Sequence, residues 1–70
     1  MNLSEFIRNV RVNLGMSQDQ LAKALSVSYT TINRWENDKA VPSNLAKKTF
    51  FDFCEGNLIE VPAELNGKTK

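Results

Sequence analysis

Residues Ser17 to Asn37, SQDQLAKALSVSYTTINRWEN, hold two short helical patterns, each opened by a serine and separated only by the few residues around Ser26 and Val27. Ser17 with Gln20 has the S-x-x-Q form of a capping box, in which hydroxyl and side-chain amide each satisfy a backbone N–H that the first turn leaves unpaired. A helix therefore starts just after Ser17. Leu21, Ala22 and Leu25 give it one narrow apolar stripe, with Gln18, Asp19 and Lys23 left for water or a ligand. Ser28 is a second N-cap, and Ile32 with Trp35 at i, i+3 forms a second stripe, which assigns Trp35 to packing. Isolated helices shorter than about 12–15 residues are marginal in water. Both patterns are shorter, so they must pack on one another and on flanking helices.

The flanking segments supply those helices. Leu3, Phe6, Ile7, Val10 and Leu14 follow helical spacing, predicting a first helix over Leu3–Leu14 that ends at Gly15, with Ser4 as its cap and Glu5 in its first turn. Asp38 to Pro42 reads as a loop, because Asp favours turns and the residue before a proline is pushed out of helical geometry. Ser43 caps the next helix, whose stripe is Leu45, Ala46, Thr49, Phe50, Phe53 and Cys54, with Phe51 as a second core face and Gly56-Asn57 as its stop. Beyond it, Pro62 fits the first turn of a short helix over Val61–Leu65, and Leu58–Val61 fits an extended segment. The pattern is compatible with both. The expected fold is all-α, a compact bundle of four to five short helices.

Seventy residues allow one domain with a thin stability margin. A single cysteine, Cys54, excludes an internal disulfide and reads as a core thiol, and the absence of histidine removes the usual ligand set for structural zinc. No cofactor is expected. No apolar run reaches the ~20 residues of a membrane span and no signal peptide opens the chain, so a cytoplasmic protein with no membrane role is expected. The net charge of +1 is weak for a nucleic-acid binder, but its distribution is uneven. Residues 1–51 carry seven bases and four acids, whereas residues 52–67 carry Asp52, Glu55, Glu60 and Glu64 and no base. An oriented surface with an acidic far end follows.

The arrangement resembles the helix-turn-helix of the phage-repressor and Cro (XRE) family of DNA-binding domains, whose docking geometry is well defined. The likeness rests on Gln18 opening one helix, Ala22 in its close-packed middle, Val27 after the turn, Ile32 and Trp35 inside the next helix, and the run through Trp35-Glu36-Asn37 to Lys39. It covers Phe6 to Phe53. The family usually has glycine at the turn, where this chain has Ser26. A left-handed backbone costs a non-glycine residue roughly 1–2 kcal/mol, so the turn is either strained or differently shaped. The resemblance implies an ion pair from Arg11 to Glu36 bridging the first and third helices, and a phosphate contact from Gln18. Residues 1–57 would form the DNA-binding domain and 58–70 a C-terminal extension ending in a frayed tail.

Catalysis has little footing, because the chain offers no histidine, no activated cysteine, no Gly-rich phosphate loop and no paired carboxylates. Binding has more. Helix N-termini present free N–H groups to phosphate, and the capping at Ser28 turns one face of the third helix outward. Ser28, Tyr29, Thr30 and Asn33 are the candidate base contacts, Thr30 toward a thymine methyl and Asn33 toward adenine N6 and N7. Gln18, Arg34, Asn37 and Lys39 are the candidate phosphate contacts, although the Arg34 guanidinium suits guanine equally. The expected function is sequence-specific binding of double-stranded DNA by a transcriptional repressor, a homodimer on an inverted-repeat operator. Leu58, Ile59, Val61 and Leu65 are its candidate dimerisation surface. The alternative is a protein-interaction module that uses the same fold to hold a partner, as an antitoxin does. A third reading, a targeting domain of a larger protein, stays open because the chain ends without a firm stop.

Overall fold

The computed structural model describes residues 2–66, which form α1 (Leu3–Asn13), α2 (Gln18–Leu25), α3 (Tyr29–Glu36), α4 (Asn44–Gly56) and α5 (Ala63–Asn66). No strand occurs among the described residues, and the expected tail after Asn66 lies outside them. The three serine caps are in place. Ser17 and Gln20 exchange hydrogen bonds of 3.0 and 2.8 Å, the Ser28 hydroxyl accepts the Thr31 N–H at 3.1 Å, and the Ser43 hydroxyl accepts the Ala46 N–H at 3.2 Å. The cap of α1 needs correcting: it is Asn2, which forms a capping box with Glu5 at 2.8 and 3.4 Å. Ser4 already lies inside the helix. Its hydroxyl instead donates to the Trp35 carbonyl at 2.6 Å, which ties the start of α1 to the end of α3.

One backbone device ends each of the first four helices. A residue within two positions of the helix end is left-handed, and the N–H after it reaches back five residues: Met16 to the Arg11 carbonyl, Val27 to Ala22, Lys39 to Arg34 and Ile59 to Cys54, at 2.8 to 3.0 Å. This is the Schellman arrangement, which satisfies carbonyls the helix end would otherwise orphan. The left-handed residues are Gly15, Ser26, Asp38 and Leu58, with φ between 59 and 68°. Ser26 thus adopts the strained form of the turn. The stop after α4 is not Gly56, which is helical, but Asn57 and the left-handed Leu58. Met16, Val27 and Ile59, each directly after a left-handed residue, pack against the core.

That core consists of Phe6, Ile7 and Val10 from α1, Leu21, Ala22 and Leu25 from α2, Ile32 and Trp35 from α3, and Phe50 and Cys54 from α4. Phe6 meets Phe50 edge to face with ring centroids 5.9 Å apart, a favoured aromatic geometry. Phe51 is half-buried beside Phe50, as expected of a second core face. Burial pushes the Cys54 thiol up to about 11, which suits an inert core thiol. Residues 59–62 form no regular structure and α5 starts at Ala63, with the Leu65 N–H donating to the Pro62 carbonyl at 2.9 Å, so the short last helix is present, starting two residues later than expected, whereas the extended reading fails at Leu58, which is left-handed. Ile59, Val61 and Leu65 pack on the chain's own core. The free apolar surface expected of them is therefore reduced to Leu58, which is 95% exposed.

Among the described residues, one ion pair connects the N-terminal helices. Arg11 Nε donates to Glu36 Oε2 at 2.7 Å, Nη2 donates to Glu36 Oε1 at 3.0 Å, and Nη1 donates to the Met16 carbonyl at 3.0 Å. The Glu36 side chain is 2% exposed and that of Arg11 15%. Burial raises the Glu36 pKa, but the hydrogen bonds from Arg11 and Gln18 and the charges of Arg11 and Arg8 outweigh it, leaving it below the ordinary carboxylate range. The bond to Glu36 in turn raises that of Arg11 against the opposing effect of burial.

Two outcomes are expected. Removing one partner of a buried pair strands the other charge at about 3–5 kcal/mol, so Arg11→Met or Glu36→Leu alone destabilises more than the double substitution; a chemical-denaturation cycle without coupling contradicts this. Because the folded pKa of Glu36 is depressed, its contribution is complete above the unfolded value of about 4.3 and is lost as pH falls through the lower folded value. The double variant lacks that acid-sensitive component. Separately, glycine at a left-handed position removes roughly 1–2 kcal/mol of strain and restores about 0.5–1 kcal/mol of chain entropy cost. Leu58→Gly and Ser26→Gly each stabilise the monomer slightly in dilute denaturant titrations, Leu58→Gly more because its exposed side chain gives up little packing.

Candidate nucleic-acid interface

The third helix divides its residues sharply between inside and outside. Ile32, Trp35 and Glu36 are buried, whereas Tyr29 is 52% exposed and Thr30 and Arg34 are open to solvent. The division follows from the cap, since starting the helix at Tyr29 fixes which positions meet the stripe of α2. Ser28 is exposed, but its hydroxyl is occupied by the Thr31 N–H and lies 2.9 Å from the Thr31 hydroxyl. Capping is the role the geometry gives it.

Asn33 and Gln18, predicted for different parts of the DNA, are hydrogen-bonded to each other. The Asn33 Nδ2 donates to Gln18 Oε1 at 3.2 Å, and Gln18 Nε2 donates to Glu36 Oε1 at 3.0 Å. Both side chains are half-buried as a result. One Nε2 proton of Gln18 is spent on Glu36, which leaves the second for an outside acceptor. The first-turn N–H groups of Gln18 and Asp19 precede the helical ladder, and the dipole there is positive. Asp19 offsets some of that field, although it pairs with Lys23 at 3.2 Å.

Asn37 and Lys39 stand at the other end of α3. The Asn37 Nδ2 donates to the Asn33 carbonyl at 2.8 Å, and the Lys39 N–H donates to the Arg34 carbonyl at 2.9 Å, so both are fixed by the turn around the left-handed Asp38. Both are exposed. Arg8 is a residue the sequence reading did not include in the site. It is exposed on α1, one turn before Arg11, and near enough to lower the Glu36 pKa. Its i, i+3 spacing from Arg11 was the available signal. Among the described residues, no group of three or more His, Cys, Asp or Glu side chains could hold a metal ion, and no helix is long and apolar enough to cross a membrane.

Comparisons with known proteins agree with this geometry. The profile of the helix-turn-helix family matches residues 7–45, which contain α2 and α3 together with most of α1 and the first residues of α4. A relative, the HTH-type transcriptional activator BcrR of Enterococcus faecalis, is 31% identical over 61 residues, 87% of this chain and 30% of that protein. The chain thus spans less than a third of the length of the relative it matches. No solved structure matches significantly. With two capped helices joined through a left-handed Ser26, a buried Arg11–Glu36 pair beneath them and a family match over this segment, the chain belongs to the Cro/C1-type helix-turn-helix family of DNA-binding transcription regulators.

Proposed function

We propose that this chain reads a specific double-stranded DNA sequence by laying α3 in the major groove, and that it acts in the cytoplasm as a transcriptional repressor. The observation that carries the reading is the exposure of Tyr29, Thr30 and Arg34 on a helix whose other face is fully used in the core. At 1.5 Å per residue, eight residues make about 12 Å of helix, comparable to the width of the major groove. Tyr29, Thr30 and Asn33 contact bases, and Ser28 borders them at the helix start. Gln18, Arg34, Asn37 and Lys39 meet phosphates on either side. Occupying a promoter site is enough to repress it. The relative named as an activator favours the opposite outcome, in which the bound chain recruits the transcription machinery; a reporter carrying the operator upstream of, or within, a promoter separates the two.

One recognition helix covers one half-site, so an inverted repeat requires two copies with their α3 helices about 34 Å apart. Leu58 supports a dimer: a leucine held left-handed and 95% exposed violates local preference twice, as residues kept for a contact do. Sedimentation should show the parent associating at high concentration and Leu58→Gly remaining monomeric. Equal monomer masses for both refute this surface.

The base and phosphate roles are separable by titration of an operator selected from random duplex DNA against a scrambled duplex at several salt concentrations. Thr30→Ala and Asn33→Ala should each cost about 1–3 kcal/mol at one base pair. Lys39→Ala should weaken both duplexes alike and lower the salt slope by about one. If the two alanine variants leave the operator-to-scrambled ratio unchanged, α3 is not the reader, and a module that holds a protein partner becomes the better account.

A further inference from the structure

We propose that Gln18 is a positioning residue for sequence recognition: linked to the Glu36 carboxylate, it sets which way the Asn33 carboxamide faces the DNA. This rests on the reading of Asn33 as a base contact. Glu36 anchors α3 to Arg11 and also meets Gln18, which in turn meets Asn33, and an ionised carboxylate accepts hydrogen bonds without donating any. Arg11 takes Oε2 and shares Oε1, and the remaining contact to Oε1 comes from Gln18 at 3.0 Å. A carboxamide can meet a carboxylate only through its NH2 group. Gln18 must therefore turn Nε2 toward Glu36, and its Oε1 then faces Asn33.

The same logic passes one step further. An amide oxygen needs a donor, so Asn33 presents Nδ2 to Gln18, as the 3.2 Å contact records. Asn33 Oδ1 and its second Nδ2 proton are left for other partners. That pair is one acceptor beside one donor, the set that meets the N6–H and N7 of adenine. Turning the amide over would exchange donor and acceptor and present the pattern in reverse. The depressed pKa of Glu36 keeps it ionised at neutral pH, so the polarity of the relay holds there. Its cost on binding is small, since the orientation exists before DNA arrives.

The test uses the intact chain and its selected operator, together with single-base-pair variants of that operator. Asn33→Ala should reduce discrimination by about 5- to 150-fold at one base pair. Gln18→Met, which keeps length and apolar bulk while removing both amide groups, should reduce discrimination at that same base pair. In the Asn33→Ala background it should have no such effect, while any uniform loss from a Gln18 phosphate contact persists in both backgrounds. Discrimination lost equally in both backgrounds, or retained in Gln18→Met alone, overturns the relay but leaves Asn33 as a reader. Unchanged discrimination in Asn33→Ala overturns the reading itself. Should Gln18→Met fail to fold, the parent decides: its free-state nuclear magnetic resonance spectrum should show one Asn33 side-chain amide proton protected from exchange with water, and equal, rapid exchange of both rejects the relay.

Discussion

The carboxylate of Glu36 is the point on which the N-terminal three helices depend. It belongs to α3, receives two hydrogen bonds from Arg11 on α1 and a third from Gln18 at the start of α2. A buried charge without partners is expensive, and a buried pair is often no more stable than an apolar substitute. Its value here is geometric. Apolar stripes allow short helices to slide or rotate against each other, whereas a bidentate guanidinium–carboxylate pair fixes both distance and direction. Because Arg11 also holds the Met16 carbonyl, the same group sets where the chain leaves α1 and turns toward Ser17. No buried side-chain polar atom among the described residues is left without a hydrogen-bond partner, so the charge is accommodated without a compensating defect.

Around that pair, the helix ends decide how small the domain can be. Four Schellman turns let consecutive helices follow one another after only a few residues, and three of them place a hydrophobic side chain on the core immediately after the left-handed residue. Core formation thus continues through the turns. The fourth, at Asp38, is followed by Lys39 instead of an apolar residue, and this is the turn that borders the proposed phosphate contacts. There the device serves to hold a cation outward at a fixed place beyond α3. Strain at Ser26 and Asp38 is the cost of keeping α3 short and its two ends defined.

Much of this was legible because the deciding interactions are local. Ser17 with Gln20, Ser28 and Ser43 act on groups within three residues, and the apolar stripes follow helical spacing, so helices and inner faces could be read directly. Asn2 was missed because Ser4 offered a more familiar cap, and the first helix was extended by one residue through Leu14 for the same local reason. What lay beyond reach was contact between segments. Nothing in the spacing of Gln18 and Asn33 says that their amides meet, because that depends on how α2 and α3 pack. Nor does composition say that Ile59, Val61 and Leu65 return to the core of their own chain. The Arg11–Glu36 pair is also a long-range contact, and it was foreseeable only through the family resemblance.

Charge completes the account of how a chain of net +1 can serve a polyanion. Glu36 lies on the buried face of α3, where an unpaired negative charge would repel the phosphate of the proposed duplex, and Arg11 neutralises it inside the protein. Lys23 and Lys48 are engaged by Asp19 and Asp52 on exposed helix surfaces, pairs that add little stability but divide those cations between partners. Arg8, Arg34 and Lys39 are exposed, and in the proposed complex they supply attraction for phosphate. Three phosphate contacts correspond to a loss of only roughly 40-fold in affinity between 50 and 200 mM salt, whereas six, from two copies, correspond to roughly 1,800-fold. Non-specific binding by one copy is correspondingly weak, which favours release from random DNA. In the proposed complex, discrimination comes from side chains such as Asn33, whose amide Gln18 orients in advance. On that reading an amide held through a buried carboxylate contributes more than another surface lysine would.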